Sequence, residues 1–96
     1  MSAGNYYVYI TTNPGRTVLY TGVTNVLKRR LLEHYRNRGK KSSFAGKYYC
    51  YDLIYYEHFG DAGQAIAREK DIKSMSRTMK EDLVASMNPK KNTLRI

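Results

Sequence analysis

Hydrophobic and polar positions along the chain fall into two periods. Residues 6–12 read Tyr-Tyr-Val-Tyr-Ile-Thr-Thr, aromatic or β-branched throughout, and predict a strand. Asn13-Pro14-Gly15-Arg16 is a turn, with Pro fixing φ and Gly accepting positive φ. Residues 17–23 predict a second strand, so the first 23 residues form a hairpin. Pairing symmetric about Pro14-Gly15 sets Tyr9 opposite Tyr20 on one face. A bulge or a longer loop would break that register.

Beyond residue 23 the period lengthens. Leu27, Leu31 and Tyr35 recur at i, i+4 and i+8 and form the core stripe of a helix over 25–37, with Thr24 as N-cap. Arg30 and His34 are also four apart, displaced to one side of that stripe. The helix runs into Asn37–Ser43, a polar, basic loop with a Gly stop. Residues 49–57 are rich in Tyr, Leu and Ile and predict a third strand. Asp61 and Gln64 resemble a capping box for a helix over 62–75, and Thr78 with Glu81 supply another for a last helix. Pro89 forces Asn88 out of helical conformation and ends it. The tail, Lys90–Ile96, is expected to be loose. The order is ββαβαα: an α+β fold with a three-stranded antiparallel sheet flanked by helices.

Ninety-six residues make one small domain, 1–96, with its core over about 6–89. Seventeen basic against eight acidic side chains give a net charge of +9. That imbalance calls for an anionic partner, most simply a nucleic acid. The single cysteine, Cys50, excludes an internal disulfide, and with two histidines it cannot build the usual structural zinc site. Both facts fit a reducing, cytoplasmic setting. Residues 1–5 lack the basic start and apolar run of a signal peptide. No apolar run reaches membrane-spanning length.

Several residues could carry chemistry. Glu69 has Ala65 and Ile66 one turn before it and Ile72 three residues after, so it lies on or beside an apolar helical stripe. A carboxylate there needs a cation. One reading is an i,i+4 ion pair with Lys73. The other is a metal site, since Mg²⁺ keeps several waters and accepts one or two protein oxygens. Arg30 has the planar fork that suits charge building up on a phosphate. The simpler reading is a solvated basic face of Lys28, Arg29 and Arg30, which would still bind a nucleic-acid backbone. Only its shared face with His34 favours Arg30 over Arg29. His34 can act near neutrality as a base or phosphate ligand, or can be an ordinary polar residue. His58, at a strand end, is the weaker candidate. Tyr9 and Tyr20 belong to a set of ten tyrosines. Most of these are expected in sheet and core, as the Tyr48-Tyr49 and Tyr55-Tyr56 pairs are. A tyrosine hydroxyl can position or deprotonate water if a nearby cation lowers its pKa. Gly22 permits close approach of a backbone or substrate, or simply turns the chain into the helix.

With these residues in this order, the chain resembles the GIY-YIG nuclease superfamily. Tyr7-Val8-Tyr9 matches the first motif, with Tyr7 where Gly is usual, and Tyr20-Thr21-Gly22 matches the second. The family arginine falls on Arg30, a histidine of some members on His34, the metal-binding glutamate on Glu69 and a late asparagine on Asn88. The resemblance runs from about Tyr6 to Pro89 and is greatest to small single-domain members. It implies metal-dependent hydrolysis of DNA phosphodiesters in repair or processing, with one Mg²⁺ (or Mn²⁺) on Glu69. In that scheme Tyr9 activates or positions water, Tyr20 supports it, Arg30 stabilises charge and His34 assists. Expected nucleic-acid contacts are Gly22, Arg36, Arg38, Lys40, Lys41, Lys47, Lys73 and Asn88. DNA is the first expectation, RNA the second, and a protein partner could supply specificity. The alternative is a non-catalytic nucleic-acid-binding module, its basic loop tracking phosphates with nearby tyrosines for stacking. A protein-interaction domain on the same fold is a third. The nuclease reading requires Tyr9, Tyr20, Arg30 and Glu69 to converge on one concave patch.

Overall fold

The first strand in the chain is the central strand of the sheet. In the computed structural model, which describes residues 4–96, β1 (Tyr6–Thr12) pairs antiparallel with both β2 (Leu19–Thr24) and β3 (Asp52–Phe59). Residues 1–3 of the start read above lie outside the described residues. The helices are α1 (Leu27–Arg36), α2 (Phe44–Lys47), α3 (Ala62–Lys73) and α4 (Arg77–Met87). The α+β order ββαβαα is as expected, with the single turn α2 added ahead of β3. No helix among the described residues is long and apolar enough to cross a membrane.

The hairpin register corrects the expected pairing. Tyr9 stands opposite Gly22, and Tyr20 stands opposite Thr11. The loop is longer than Asn13–Arg16 because Asn13 organises it. Its Oδ1 accepts from the backbone N–H of Thr17 (2.8 Å) and Val18 (3.0 Å), and Arg16 takes a positive φ of 57°. β2 therefore starts at Leu19 rather than residue 17. The slip is even, so Tyr9 and Tyr20 keep a common face, as side-chain alternation requires.

The two faces carry separate cores. On one, Val8, Ile10, Ile54 and Tyr55 pack with Ala65 and Ile72 of α3 and Val84 of α4. Ile72 and Val84 are fully buried, and burying each such side chain contributes about 1.5–3 kcal/mol. On the other face, Tyr9 and Leu53 pack with Leu27 of α1, joined by Leu31, Tyr20 and Leu94. A bulge in β3 passes between the pairs Ile10–Tyr55 and Thr11–Leu53. It turns both Ile54 and Tyr55 toward α3 and α4.

Element boundaries move for local reasons. Thr24 does not cap α1; its hydroxyl accepts from Val26 N–H (3.2 Å) in a turn that delays the helix to Leu27. The inward stripe of α1 is Leu27, Leu31 and His34, while Tyr35 is 47% exposed. Asp61 caps α3 through Gln64 N–H (2.9 Å), as expected. Ser76, not Thr78, caps α4 by accepting from Met79 N–H (3.1 Å). Glu81 instead pairs with Arg77 and Lys91. β3 begins at Asp52 rather than residue 49, because Tyr49 has a φ of 58° that no strand allows. Tyr48 and Tyr49 are consequently exposed rather than in the sheet.

The tail is docked rather than loose. Buried Asn88 donates its Nδ2 to Ile54 O (3.0 Å) and Asn92 O (2.7 Å), and its Oδ1 accepts from Asn92 N–H (3.1 Å). Leu94 N–H donates to Leu53 O (2.8 Å), and Arg16 Nη2 donates to Thr93 Oγ1 (2.9 Å). Asn88→Ala strips three hydrogen bonds from this clasp, the one to Ile54 O being buried. Urea unfolding should show a loss of about 1–3 kcal/mol.

Candidate active site

The site begins with an absent side chain. Gly22 lies across from Tyr9, and the Tyr9 phenol lies over it. A Cβ at Gly22 would stand 2.6 Å from Tyr9 Cζ, far inside contact distance. The close approach anticipated at Gly22 is thus made by the protein's own tyrosine.

Helix α1 delivers two polar groups to that phenol. Leu27 and Leu31 seat the helix on the sheet, and the four-residue spacing brings Arg30 and His34 to the same point. His34 Nε2 is 2.8 Å from the Tyr9 hydroxyl, and Arg30 Nε donates to it at 3.4 Å. Arg30 Nη1 is steadied by Glu33 Oε1 at 3.0 Å. Tyr20 stands edge-on to His34, with ring centroids 5.3 Å apart, and 6.3 Å from the Tyr9 ring. Arg29 reaches toward Glu33 and Asn25 instead.

Proton positions follow from burial and charge. Burial pushes His34 down to about 4, the Arg30 cation adds to this, and Glu33 opposes it. His34 is therefore neutral near pH 7, with one bare ring nitrogen. A guanidinium only donates, so the Tyr9 oxygen accepts from Arg30; in the tautomer that carries the His34 proton on Nδ1, the Tyr9 hydroxyl donates to Nε2. The phenol itself is held well above its ordinary value, chiefly by burial, with Tyr20 and Glu69 adding to the effect. The hydrogen bond from Arg30 opposes this but does not outweigh it. The expected lowering of a tyrosine pKa by a cation is thus reversed, because desolvating the phenolate costs more than the cation returns.

Glu69 stands on α3, which packs along β1 and β2. Its side chain is 16% exposed, and Lys73 Nζ lies 3.3 Å from its Oε2. The ion pair weighed from the sequence is therefore present, and the carboxylate is also close enough to disfavour ionisation of Tyr9. The preceding residue, Arg68, forks onto Glu57 of β3 with Nε and Nη2 each at 3.0 Å, fixing the rotation of α3. Among the described residues no three His, Cys, Asp or Glu gather around one point. The donor set suits a hard cation that keeps most of its waters, such as Mg²⁺ or Mn²⁺ on Glu69, and not a tetrahedral zinc.

The remaining candidates separate. Arg36, Arg38, Lys40, Lys41 and Lys47 are exposed, and Lys73 is half exposed. Arg38 lies over the Tyr35 ring at 3.8 Å. Asn88, expected on the nucleic-acid face, is instead buried with its amide engaged inside the fold. His58 is exposed and bonded to Asn5 (2.8 Å), beside Tyr7. The sequence reading passed over Glu33, which its i,i+3 spacing from Arg30 could have revealed, and Phe44, which stacks on Tyr20.

The GIY-YIG catalytic domain model matches residues 5–82. A UPF0213 protein of the archaeon Natronomonas pharaonis is 39% identical over 83 residues, covering 86% of this chain and 94% of the relative. A UPF0213 protein of Clostridium perfringens is 34% identical over 84 residues, covering 88% and 87%. The solution NMR structure of a UPF0213 protein from Bacillus halodurans superposes with a TM-score of 0.57 at 29% identity, over 90% of this chain and 88% of that one.

Gly22→Ala should drive the Tyr9 phenol off its bed. Urea unfolding should show a loss of about 1–3 kcal/mol, and the His34 ring resonances should shift in NMR spectra. A second expectation concerns pH. The folded His34 pKa, about 4, lies below the unfolded value of roughly 6.5. The unfolded chain therefore binds more protons between these limits, and stability falls as pH drops from about 6.5 toward 4. Denaturation midpoints across this range should show that slope, and His34→Phe should flatten it.

Proposed function

The chain belongs to the GIY-YIG catalytic domain family, and on that footing we propose that it is a metal-dependent endonuclease hydrolysing phosphodiester bonds in DNA. The observation that carries this reading is the meeting of Arg30 and His34 at the Tyr9 hydroxyl; the Glu69 carboxylate adds to the cost of ionising that phenol.

Glu69 would hold one Mg²⁺ or Mn²⁺, which when bound offsets negative charge on the phosphate. The protein's residues do the rest. Tyr9 orients the attacking water through its hydroxyl oxygen. As the water oxygen forms its bond to phosphorus, its proton passes to Tyr9 while the Tyr9 proton passes to His34 Nε2. This relay avoids a free phenolate, which burial makes costly; the imidazolium it forms is itself disfavoured by burial and Arg30, is held only while the phosphate carries its extra negative charge, and returns its proton to solvent as the product leaves. The phosphorus–oxygen bond opposite breaks, and solvent protonates the departing oxygen. Arg30, over a third exposed, donates to the phosphate as charge builds. Tyr20 packs against His34 and keeps its ring in place. The exposed Arg36, Arg38, Lys40, Lys41 and Lys47 hold the backbone on either side. The work suits DNA repair or processing in the cytoplasm, with specificity taken from substrate shape or a protein partner.

The Glu69–Lys73 ion pair favours a second reading, a binding module in which that carboxylate needs no metal. A cleavage panel separates the two. Duplex, single-stranded and branched DNA, with an RNA arm, are incubated with protein and Mg²⁺ or Mn²⁺. Cleavage is expected for wild type, and Glu69→Gln and Arg30→Ala should each reduce its rate by about 10²-fold or more, with circular dichroism unchanged. Intact substrates in every arm would sink the nuclease reading. Salt-sensitive binding that ignores metal and survives Glu69→Gln would establish the module instead.

A further inference from the structure

Aromatic rings lead outward from the candidate catalytic cluster, and the outer ones cover little of the protein. Tyr20, edge-on to His34, is followed by Phe44 at 6.2 Å and a near-parallel 26°, and then by Tyr48, 4.7 Å from Phe44. Phe44 is 51% exposed and Tyr48 is 39% exposed. Side chains of this size are ordinarily placed where they bury area.

The rings are held from beneath. Phe44 opens α2 and Tyr48, four residues on, is its C-cap, while Ala45 and Gly46 between them are buried. A Cβ at Gly46 would meet the carbonyl oxygens of Asn37 and Lys40 at 2.6 Å, so the basic loop closes directly on this turn. Gly39 N–H donates to Gly46 O (2.8 Å), and Cys50 N–H donates to Ala45 O (2.8 Å). Ser43 Oγ caps the turn through Gly46 N–H (3.1 Å). The turn is therefore a fixed mount that points two rings outward.

Beside the rings runs an open groove of about 380 Å³, floored by Val18 and Leu19 and flanked by Arg77 and Lys80. None of its lining residues is acidic. Lys47 Nζ sits 5.3 Å from the Tyr48 ring centre, and Lys40 and Lys41 are exposed in the loop just before α2. Half-exposed rings beside cations are what an unpaired nucleic-acid strand can use, because its bases have free π-faces and its phosphates follow at regular intervals. A duplex keeps its base faces stacked inside and gains nothing from the rings.

We infer that Phe44 and Tyr48 form a stacking platform for a single-stranded segment of nucleic acid, with Lys47 and Lys80 on its phosphates and Tyr20 joining the platform to the Tyr9 cluster. The preferred substrate is then a DNA with unpaired nucleotides next to the cut, such as a flap or a strand end. That last step rests on the nuclease reading; the stacking does not.

The test is binding without catalysis. Fluorescence anisotropy with a dye-labelled run of twelve thymidines and with a labelled duplex, both in EDTA, is measured for wild type, Phe44→Ala/Tyr48→Ala and Phe44→Tyr/Tyr48→Phe. The alanine pair should weaken binding to the thymidine strand at least about tenfold and to the duplex less than about twofold. The ring-preserving pair should bind the strand as wild type does, which separates lost stacking from lost folding. Equal weakening on both DNAs, or no weakening on the strand, overturns the platform. So does a wild-type protein that binds no strand at low salt, which would leave the rings as a protein-contact surface. Strand binding that needs the rings, from a protein that cuts nothing with Mg²⁺, removes the nuclease reading and leaves the platform standing.

Discussion

A tyrosine ring can lie across a neighbouring β-strand only where that strand has no side chain to meet it. Tyr9 over Gly22 is that contact, and the polar half of the protein is arranged around it. With the phenol pinned at that height, its hydroxyl is presented to α1, where one helical turn brings Arg30 and His34 within reach. The Glu69 carboxylate on α3 adds a smaller contribution to the cost of ionising that phenol. Burial then fixes the proton arrangement: a protonated phenol and a neutral imidazole, each disfavoured in its charged form by the same exclusion of water.

How much of this could be read from the sequence depends on the range of the interaction. Local rules performed well. Strand composition, the Asp61–Gln64 cap and the 30/34 spacing needed only neighbours in sequence, and each appears in the fold. The hairpin register was not accessible, because it turns on Asn13 reaching two amides that lie beyond the turn proper. Tyr35 was misplaced because an apolar stripe can be continued by a histidine as well as by a tyrosine. Which one faces inward depends on whether the opposite wall offers a hydroxyl, and here Tyr9 does. Asn88 shows a different limit. Its sequence context spoke of a helix end, while its role is set by Ile54 and Asn92, and nothing in its own neighbourhood names Ile54.

The acidic residues show how a strongly basic chain stays folded. Glu33 steadies Arg30, Glu57 takes the fork of Arg68, Asp52 meets Arg16 and Glu81 joins Arg77 to Lys91. Much of the small acidic complement is thus used at joints between elements, while the lysines and arginines of the loop after α1 remain exposed. Those cations stay available to an anionic partner.

The bulge in β3 acts as a switch of parity. Ahead of it Leu53 faces the Tyr9 side; past it Tyr56, an odd number of residues later, faces the same side, because Ile54 and Tyr55 both turn the other way. The extra residue lets one strand give two consecutive side chains to the α3 and α4 core without disturbing the facing of Leu53 before it or of Tyr56 and Glu57 after it. Removing it would restore plain alternation and leave Glu57 in reach of Arg68. The loss would fall on the α3 and α4 core, short of one buried side chain, and not on the aim of the helix bearing Glu69.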